Sequence, residues 1–326
     1  MPLTRVHIAL EQELLDVSSG VGVLNAPADM NLENAVATQA YYPAHAALLA
    51  REIPVTPTAE GTYENALVQC HRTRAVSFDS LREAVLRTSI GGTVAINGDK
   101  TDGIEAIVRE LRKRFVDVEV FSKAHGKLAW FSRPKDLPSL DDWEAKPFDT
   151  KDGFRSFPGI FSSDGIDKGS EILVQHLPEL KGRVADLGAG WGFLSRHILL
   201  SKAVSQLDMV EADYNALHAA KTNVLDARAN HHWADALNFD GKGYDAVVMN
   251  PPFHISRKPD PALGQGFIRK AAKLLAPKGV LWMVANRNLP YESVLHENFL
   301  KLTTIAQTGG FKVIQASQPK PARPAR

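Results

Sequence analysis

Residues 184–193, VADLGAGWGF, restrict the folds open to this chain more than any other stretch. An apolar run ends in Asp186, and glycines follow at alternate positions: Gly188, Gly190 and Gly192. A helical pattern then begins through Phe193, Leu194, His197 and Ile198. A buried strand feeding a helix through a glycine turn is the opening unit of a parallel sheet covered on both faces. The rest of the second half keeps that rhythm. Leu207 to Val210 reads as a strand and Ala216 to Val224 as a helix. YDAVVM, from Tyr244, reads as a buried strand, GFIRKAAKLL as an amphipathic helix, and VLWMVA as a strand after Pro277-Lys278-Gly279. LTTIAQ and FKVIQA flank a Thr-Gly-Gly turn and read as a closing hairpin. The tail QPKPARPAR is Pro-rich and basic and reads as disordered.

The first half repeats this plan. GGTVAIN at 91–97 parallels KGVLWMV at 278–284, and GKLAWFS at 126–132 parallels FKVIQAS at 311–317. YENALVQCHR parallels GYDAVVMNPP if Ala66 matches Ala246. The matches run in one order at a spacing of roughly 180–190 residues, which points to a duplicated α/β domain. The length of 326 residues gives each copy enough chain for its own core. The expected division is 1–140, 150–318 and a tail from 319 to 326, with the boundary in the Pro- and Asp-rich stretch from Pro134 to Asp152. Lys plus Arg number 38 against 37 for Asp plus Glu, which excludes a surface coated in positive charge but leaves room for a local basic face. The single cysteine, Cys70, excludes an internal disulfide framework and a cysteine-based zinc site. Glu11, Glu13 and Asp16 interrupt the first apolar stretch, which therefore does not read as a secretory signal. The longest apolar runs fall far short of a membrane span, so a soluble, cytoplasmic monomer is expected.

The glycine loop suits a nucleotide-like ligand, because glycines let the backbone pass close beneath it. The spacing is GxGxG, not the GxGxxG of dinucleotide sites, and Asp186 precedes the first glycine. A carboxylate there repels a pyrophosphate but helps to hold an ammonium or a cationic sulfonium, which favours S-adenosylmethionine over NAD. Glu211, in LDMVEAD, ends the next strand, where a ribose diol needs a bidentate acceptor. Asp213 is the alternative for that job, or else a helix cap. Asp235, in HWADAL, ends the presumed third strand and either accepts from an adenine amino group or serves as a turn residue. The fourth strand ends in Asn250-Pro251-Pro252-Phe253-His254, where two prolines stop the ladder at the ligand-binding edge. The Asn250 side-chain oxygen and the Pro251 carbonyl can converge on one NH₂ group, with Phe253 as a flat face for a base. Gripping both hydrogens pushes an aromatic amine towards sp³ and aims its lone pair at a methyl donor, with no strong base required. The plain alternative is a Pro-rich turn with Asn250 as a helix cap.

DLGAGWG, VEAD, YDAVVMNPPFH and the run FPGIFSSDGIDKGSEIL together resemble class I S-adenosylmethionine-dependent methyltransferases. More narrowly they resemble the bacterial ribosomal RNA guanine-N2 methyltransferases of the small subunit. The resemblance covers nearly the whole chain and is strongest from Phe157 to Ala285. It implies two tandem Rossmann-like methyltransferase domains, each a doubly wound, mostly parallel sheet with a closing antiparallel hairpin, the N-terminal one degenerate. It also implies that Asp186, Gly188, Gly190, Gly192 and Glu211 bind cofactor and that Asn250, Pro251, Pro252 and Phe253 hold the target base. Asn-Pro-Pro-Phe is shared with adenine-N6 and glutamine methyltransferases, so it fixes the reaction type better than the substrate. Trp191 is a departure, a bulky residue where a small one is common, and it leaves the shape of the cofactor pocket open.

The first half has Cys70-His71-Arg72 where the second has Asn250-Pro251-Pro252, and VLNAPAD at 23–29 lacks every glycine of the loop. Cys70 therefore reads as a buried apolar thiol. His71, Arg72, Arg74, Lys100 and the cluster Arg109, Arg112, Lys113 and Arg114 are candidates to meet phosphate, or else a solvated charged face. Nearer the chemistry, His254, Arg257 and Lys258 are candidate RNA contacts, and Lys168 within FSSDGIDKGS belongs to a candidate lid. No carboxylate spacing around His231 and His232 suggests a metal site. The expectation is methyl transfer from S-adenosylmethionine to guanine N2 in ribosomal RNA or the small ribosomal subunit. The alternatives are another amino acceptor (adenine N6, protein glutamine or a small molecule) and a non-catalytic RNA-binding assembly factor.

Overall fold

A computed structural model describes residues 3–17, 19–252 and 261–321. The chain divides into two units, Met1–Pro147 with Phe157–Gly159, and Phe148–Ser156 with Ile160–Arg326. The first holds α1 (Thr4–Glu11), β1 (Val21–Leu24), β2 (Ala35–Thr38), α2 (Tyr42–Leu49), β3 (Val55–Thr56) and β4 (Asn65–Gln69). It continues through α3 (Arg74–Arg87), β5 (Thr93–Asp99), α4 (Ile104–Arg114), β6 (Glu119–Lys123) and β7 (Gly126–Ser132). The second begins with the short hairpin β8 (Phe148–Asp149) and β9 (Arg155–Ser156), then α5 (Lys168–His176), β10 (Gly182–Leu187), α6 (Phe193–Ile198) and β11 (Val204–Glu211). It closes with α7 (Tyr214–Asn223), β12 (Ala229–Trp233), β13 (Tyr244–Met249), α8 (Pro261–Leu274), β14 (Leu275–Asn286), α9 (Glu292–Asn298), β15 (Phe299–Thr308) and β16 (Phe311–Pro319).

The two seven-stranded sheets share one topology, β3-β2-β1-β4-β5-β7-β6 and β12-β11-β10-β13-β14-β16-β15. All pairings are parallel except those made by the final hairpin of each. The fold class is thus α/β, with two tandem Rossmann-like sheets. The sequence repeat has a structural counterpart, since Ala66 and Ala246 each sit on the central strand beside the first of its sheet. Central parallel strands are covered on both faces and must be apolar throughout. Ala66, Leu67 and Val68 are accordingly all buried, as are Ala246 to Met249. In the second unit, Leu187, Met249 and Met283 pack on α8 and α9, while Val184, Met209 and Val248 pack on α5, α6 and α7.

The structure corrects or refines the sequence reading in three places. The first sheet has no helix between β1 and β2: residues 25–34 turn back directly, with Met30 fully buried beneath them. Asn25, at φ +56°, ends β1, and its Nδ2 donates to the Gln69 carbonyl (3.2 Å) and Ser80 Oγ (2.9 Å). Further along the same carboxyl edge, Asn97 Nδ2 donates to Gln69 Oε1 at 2.7 Å. The buried Arg5 donates to Asn97 Oδ1 (2.9 Å), Asp99 Oδ1 (2.7 Å) and the carbonyls of Lys123 and Ala124. The edge of this sheet is thus cross-linked by its own side chains. Second, the basic cluster on α4 is partly committed: Arg114 pairs with Asp142 and Glu110, and Lys113 with Glu110. Third, β16 runs into the segment read as a tail. Pro319 pairs with Phe299 at the start of β15, and the Lys320 N–H donates to the carbonyl of Asn298, the last residue of α9.

Candidate active site

Asp186 is the penultimate residue of β10, and its loop continues through Gly188, Gly190 and Gly192 at φ +74°, +56° and +95°. Two of these positions demand glycine for different reasons. A Cβ on Gly192 would lie 2.8 Å from Val224 Cγ2, so glycine lets α6 begin close against α7. A Cβ on Gly190 would meet nothing within 4 Å and would project into open space. That space is a cleft lined by Phe161, Ser162, Asp167, Ser170, residues 188–191, Phe193, Leu194 and Asn250.

Glu211, at the end of β11, holds the loop from below. Its Oε2 accepts from the Gly190 N–H and its Oε1 from the Asp213 N–H, both at 2.7 Å. Asp213 itself caps α7, accepting from the N–H groups of Asn215 and Ala216. Asp186 is fully buried. Its Oδ2 accepts from Ser195 Oγ at 2.6 Å, while its Oδ1 has no partner. Burial pushes both carboxyls up to about 7, against the hydrogen bonds they accept. The unpartnered oxygen of buried Asp186, the half-buried carboxyl of Glu211 and a glycine opening into the cleft fit a ligand that carries positive charge, with both carboxyls standing behind the residues that line the cleft.

These two carboxyls hold a proton more readily in the folded chain than in the unfolded one. The stability tied to the neutral form is complete below pH ~4 and is lost as pH rises through about 7. For Asp186 the loss between pH 5 and pH 8 is about 3 kcal/mol. Asp186→Asn is expected to remove that slope, so thermal melts at pH 5 and pH 8 should differ less for the variant than for the parent. Equal pH dependence in both would contradict the burial argument.

Asn250 follows β13 directly and is half-buried. Its Nδ2 donates to Asp167 Oδ2 (2.8 Å) and Ser170 Oγ (2.9 Å), and its Oδ1 takes no hydrogen bond from any described residue. Pro251 is buried and Pro252 half-buried. Phe253, His254, Arg257 and Lys258 lie outside the described residues. Asp235, which like Asp186 and Glu211 is not among the cleft-lining residues, lies two residues past β12 and closes a turn, accepting from the Leu237 N–H and from Asn238 Nδ2. Cys70 is buried and free, with its thiol pushed up to about 12 by burial, and His71 Nδ1 accepts from the Thr73 N–H. Among the described residues, no group of three or more His, Cys, Asp or Glu is arranged to hold a metal ion.

Trp191 lines the cleft and packs into an aromatic cluster. Its ring lies 4.8 Å from Phe154 and 6.1 Å from Phe193, and its Nε1 donates to the Phe161 carbonyl at 3.1 Å. The sequence reading passed over Asp167 and Ser170. Asp167 could have been noticed as a helix cap, standing just before the apolar run of α5, but nothing local reveals its contact with Asn250.

A parallel sheet of this strand order, with a glycine loop and an acidic strand end facing an Asn-Pro-Pro edge, defines a class of group-transfer enzyme. The chain belongs to the methyltransferase small domain family, whose model matches residues 152–315. It is a methyltransferase with S-adenosylmethionine as its methyl donor. Among individual proteins, it is 34% identical to the ribosomal RNA small subunit methyltransferase C of Hahella chejuensis over 233 residues, 67% of each chain. It is 30% identical to the protein of the same name from Shewanella sp. (strain MR-4), over 70% of this chain and 69% of that one. The solved structure of the T. thermophilus 16S rRNA N2 G1207 methyltransferase (RsmC), in complex with AdoMet and guanosine, shares the fold. It superposes with a TM-score of 0.79 at 24% identity, covering 96% of this chain and 92% of that one.

Proposed function

We propose that this chain methylates the exocyclic N2 amino group of a guanine in small-subunit ribosomal RNA. The observation that carries the reading is the state of Asn250. Both of its amide hydrogens are directed to Asp167 and Ser170, which leaves Oδ1 as the acceptor that this cleft-lining side chain has to offer. An acceptor at that position suits an NH₂ group, and the Pro251 carbonyl is the second acceptor. Together they draw the two amine hydrogens out of the ring plane and direct the nitrogen lone pair into the cleft. S-adenosylmethionine, when bound, supplies an electrophilic methyl on a cationic sulfur. Asp186, Gly188, Gly190, Gly192 and Glu211 hold it, with Asp235 towards the adenine and Phe253 against the target base. The N–C bond forms as the C–S bond breaks, and the amine then releases a proton to water.

Guanine in ribosomal RNA is favoured by the names of the relatives, and by the guanosine bound to the protein of shared fold. In this reading residues 150–318 are the catalytic domain, and residues 1–140 are a degenerate copy that positions RNA or supports the active one. His254, Arg257 and Lys258 contact the RNA flanking the target. The enzyme works in the cytoplasm as a monomer; among the described residues no helix is long and apolar enough to cross a membrane.

The test offers methyl-labelled S-adenosylmethionine with small ribosomal subunits, deproteinised ribosomal RNA and a protein acceptor in parallel. Label recovered as N2-methylguanosine after nuclease digestion is the expected result. Label recovered in protein or as N6-methyladenosine would overturn the guanine assignment, and the absence of label from every acceptor would overturn catalysis itself.

A further inference from the structure

We propose that Asp167 and Ser170 are positioning residues for methyl transfer, acting by locking the Asn250 amide in the orientation that offers oxygen to the acceptor amine. This deepens the reading above and rests on it. A primary amide has nearly the same shape after a half-turn, so packing alone does not decide which end faces the cleft; the hydrogen-bond partners do. Here Asp167 makes the choice, because the Ser170 hydroxyl can donate or accept and follows whichever orientation is set. Asp167 Oδ2 only accepts, and it lies 2.8 Å from Asn250 Nδ2, while Ser170 Oγ lies 2.9 Å from the same nitrogen. The flipped amide would set Oδ1 against a carboxylate oxygen and turn its NH₂ towards the substrate. It would then repel an amino group and welcome a ring carbonyl. Asp167 thereby fixes the polarity of the site, with Ser170 as the second acceptor that holds the amide in place, so that it selects an amine over a keto oxygen.

The lock is itself held by the fold. Asp167 is the N-cap of α5, and the same Oδ2 that meets Asn250 accepts from the Ser170 N–H at 2.9 Å. Ser170 is 8% exposed, in the first turn of that helix. The start of α5 therefore sets the orientation of a side chain at the end of β13, about eighty residues later in the chain.

Capping and positioning are separable. Serine at 167 still caps the helix but is too short to reach Asn250, whereas asparagine at 167 keeps an oxygen in the place of Oδ2. Asp167→Ser is expected to lower kcat by about 10- to 100-fold, with S-adenosylmethionine affinity and the melting temperature close to the parent's. Asp167→Asn should restore kcat to within about fivefold of the parent, and Ser170→Ala should lower it. In an Asn250→Ala background, Asp167→Ser should change kcat less than about twofold, because there is no amide left to orient. Independently of activity, the Asn250 side-chain NH₂ resonances in a ¹⁵N-labelled sample should show slow hydrogen exchange that Asp167→Ser abolishes. If Asp167→Ser lowered kcat equally in the parent and in the Asn250→Ala variant, or left NH₂ exchange unaffected, the proposal would be overturned. If the parent labels a different amine, the guanine reading fails. The exchange and double-variant comparisons still decide the positioning role with that acceptor.

Discussion

Asn250→Ala is expected to lower kcat for methyl transfer by about 100- to 1000-fold, the loss found when one preorganised polar group is removed from a reacting centre. S-adenosylmethionine should still bind with nearly unchanged affinity. The acceptor oxygen belongs to the strand end after β13, whereas the glycine loop is held independently by Glu211 through the Gly190 N–H. Folding should also persist, since Asn250 is only half-buried and Asp167 keeps its cap on Ser170. Single-turnover methylation and calorimetric titration with S-adenosylmethionine separate the two effects. A variant that turns over at the parent's rate would place the grip on the amine elsewhere. One that loses affinity and rate together would make Asn250 a cofactor ligand.

The largest expected stability effect is at Trp191. The ring is 4% exposed and packs on Phe154 and Phe193, and its Nε1 and its own carbonyl are both used, the latter accepting from Asn223 Nδ2 at 2.7 Å. Asn223 Nδ2 also donates to the Arg155 carbonyl, and its Oδ1 accepts from the Arg155 N–H, so β9, α7 and the glycine loop meet at one point. Trp191→Ala leaves a ring-sized void there and is expected to cost about 3–5 kcal/mol. Trp191→Phe keeps most of the packing, loses the bond to the Phe161 carbonyl and should cost about 1 kcal/mol. Urea unfolding followed by circular dichroism provides the comparison. The alanine variant should also bind S-adenosylmethionine more weakly, because two neighbours of the loop lose their anchor. Unchanged stability would mean that the tryptophan is not the keystone of the cluster.

Much of the second unit was legible because its decisive features are local. A strand that ends in Asp186 and glycines, a second acidic strand end at Glu211, and prolines that stop a strand at Asn250 are each written within ten residues. The duplication was legible for a related reason, as matching strands fall at nearly constant spacing. What escaped the sequence is set by distance. The bonds from Asn250 to Asp167 and Ser170 cross 83 and 80 residues, and no periodicity encodes them. The direction taken by Trp191 likewise depends on Phe154 and Phe161, which come from the segment ahead of α5. Asp235 illustrates the opposite limit. Local turn bonds to Leu237 and Asn238 shape its surroundings two residues beyond the strand at whose end it was expected. The absent helix after β1 was hidden because strand matches say nothing about the connections between them.

The cross-linked edge of the first sheet bears on how that half of the chain differs from the second. Arg5, Asn97, Gln69 and Asn25 form one continuous polar lattice over three strand ends. Truncating Arg5 would remove its bonds to buried Asn97 and exposed Asp99 without supplying the glycines that are missing after β1. In the first sheet that lattice thus occupies the carboxyl edge at which the second sheet carries its glycine loop and the Asn-Pro-Pro strand end.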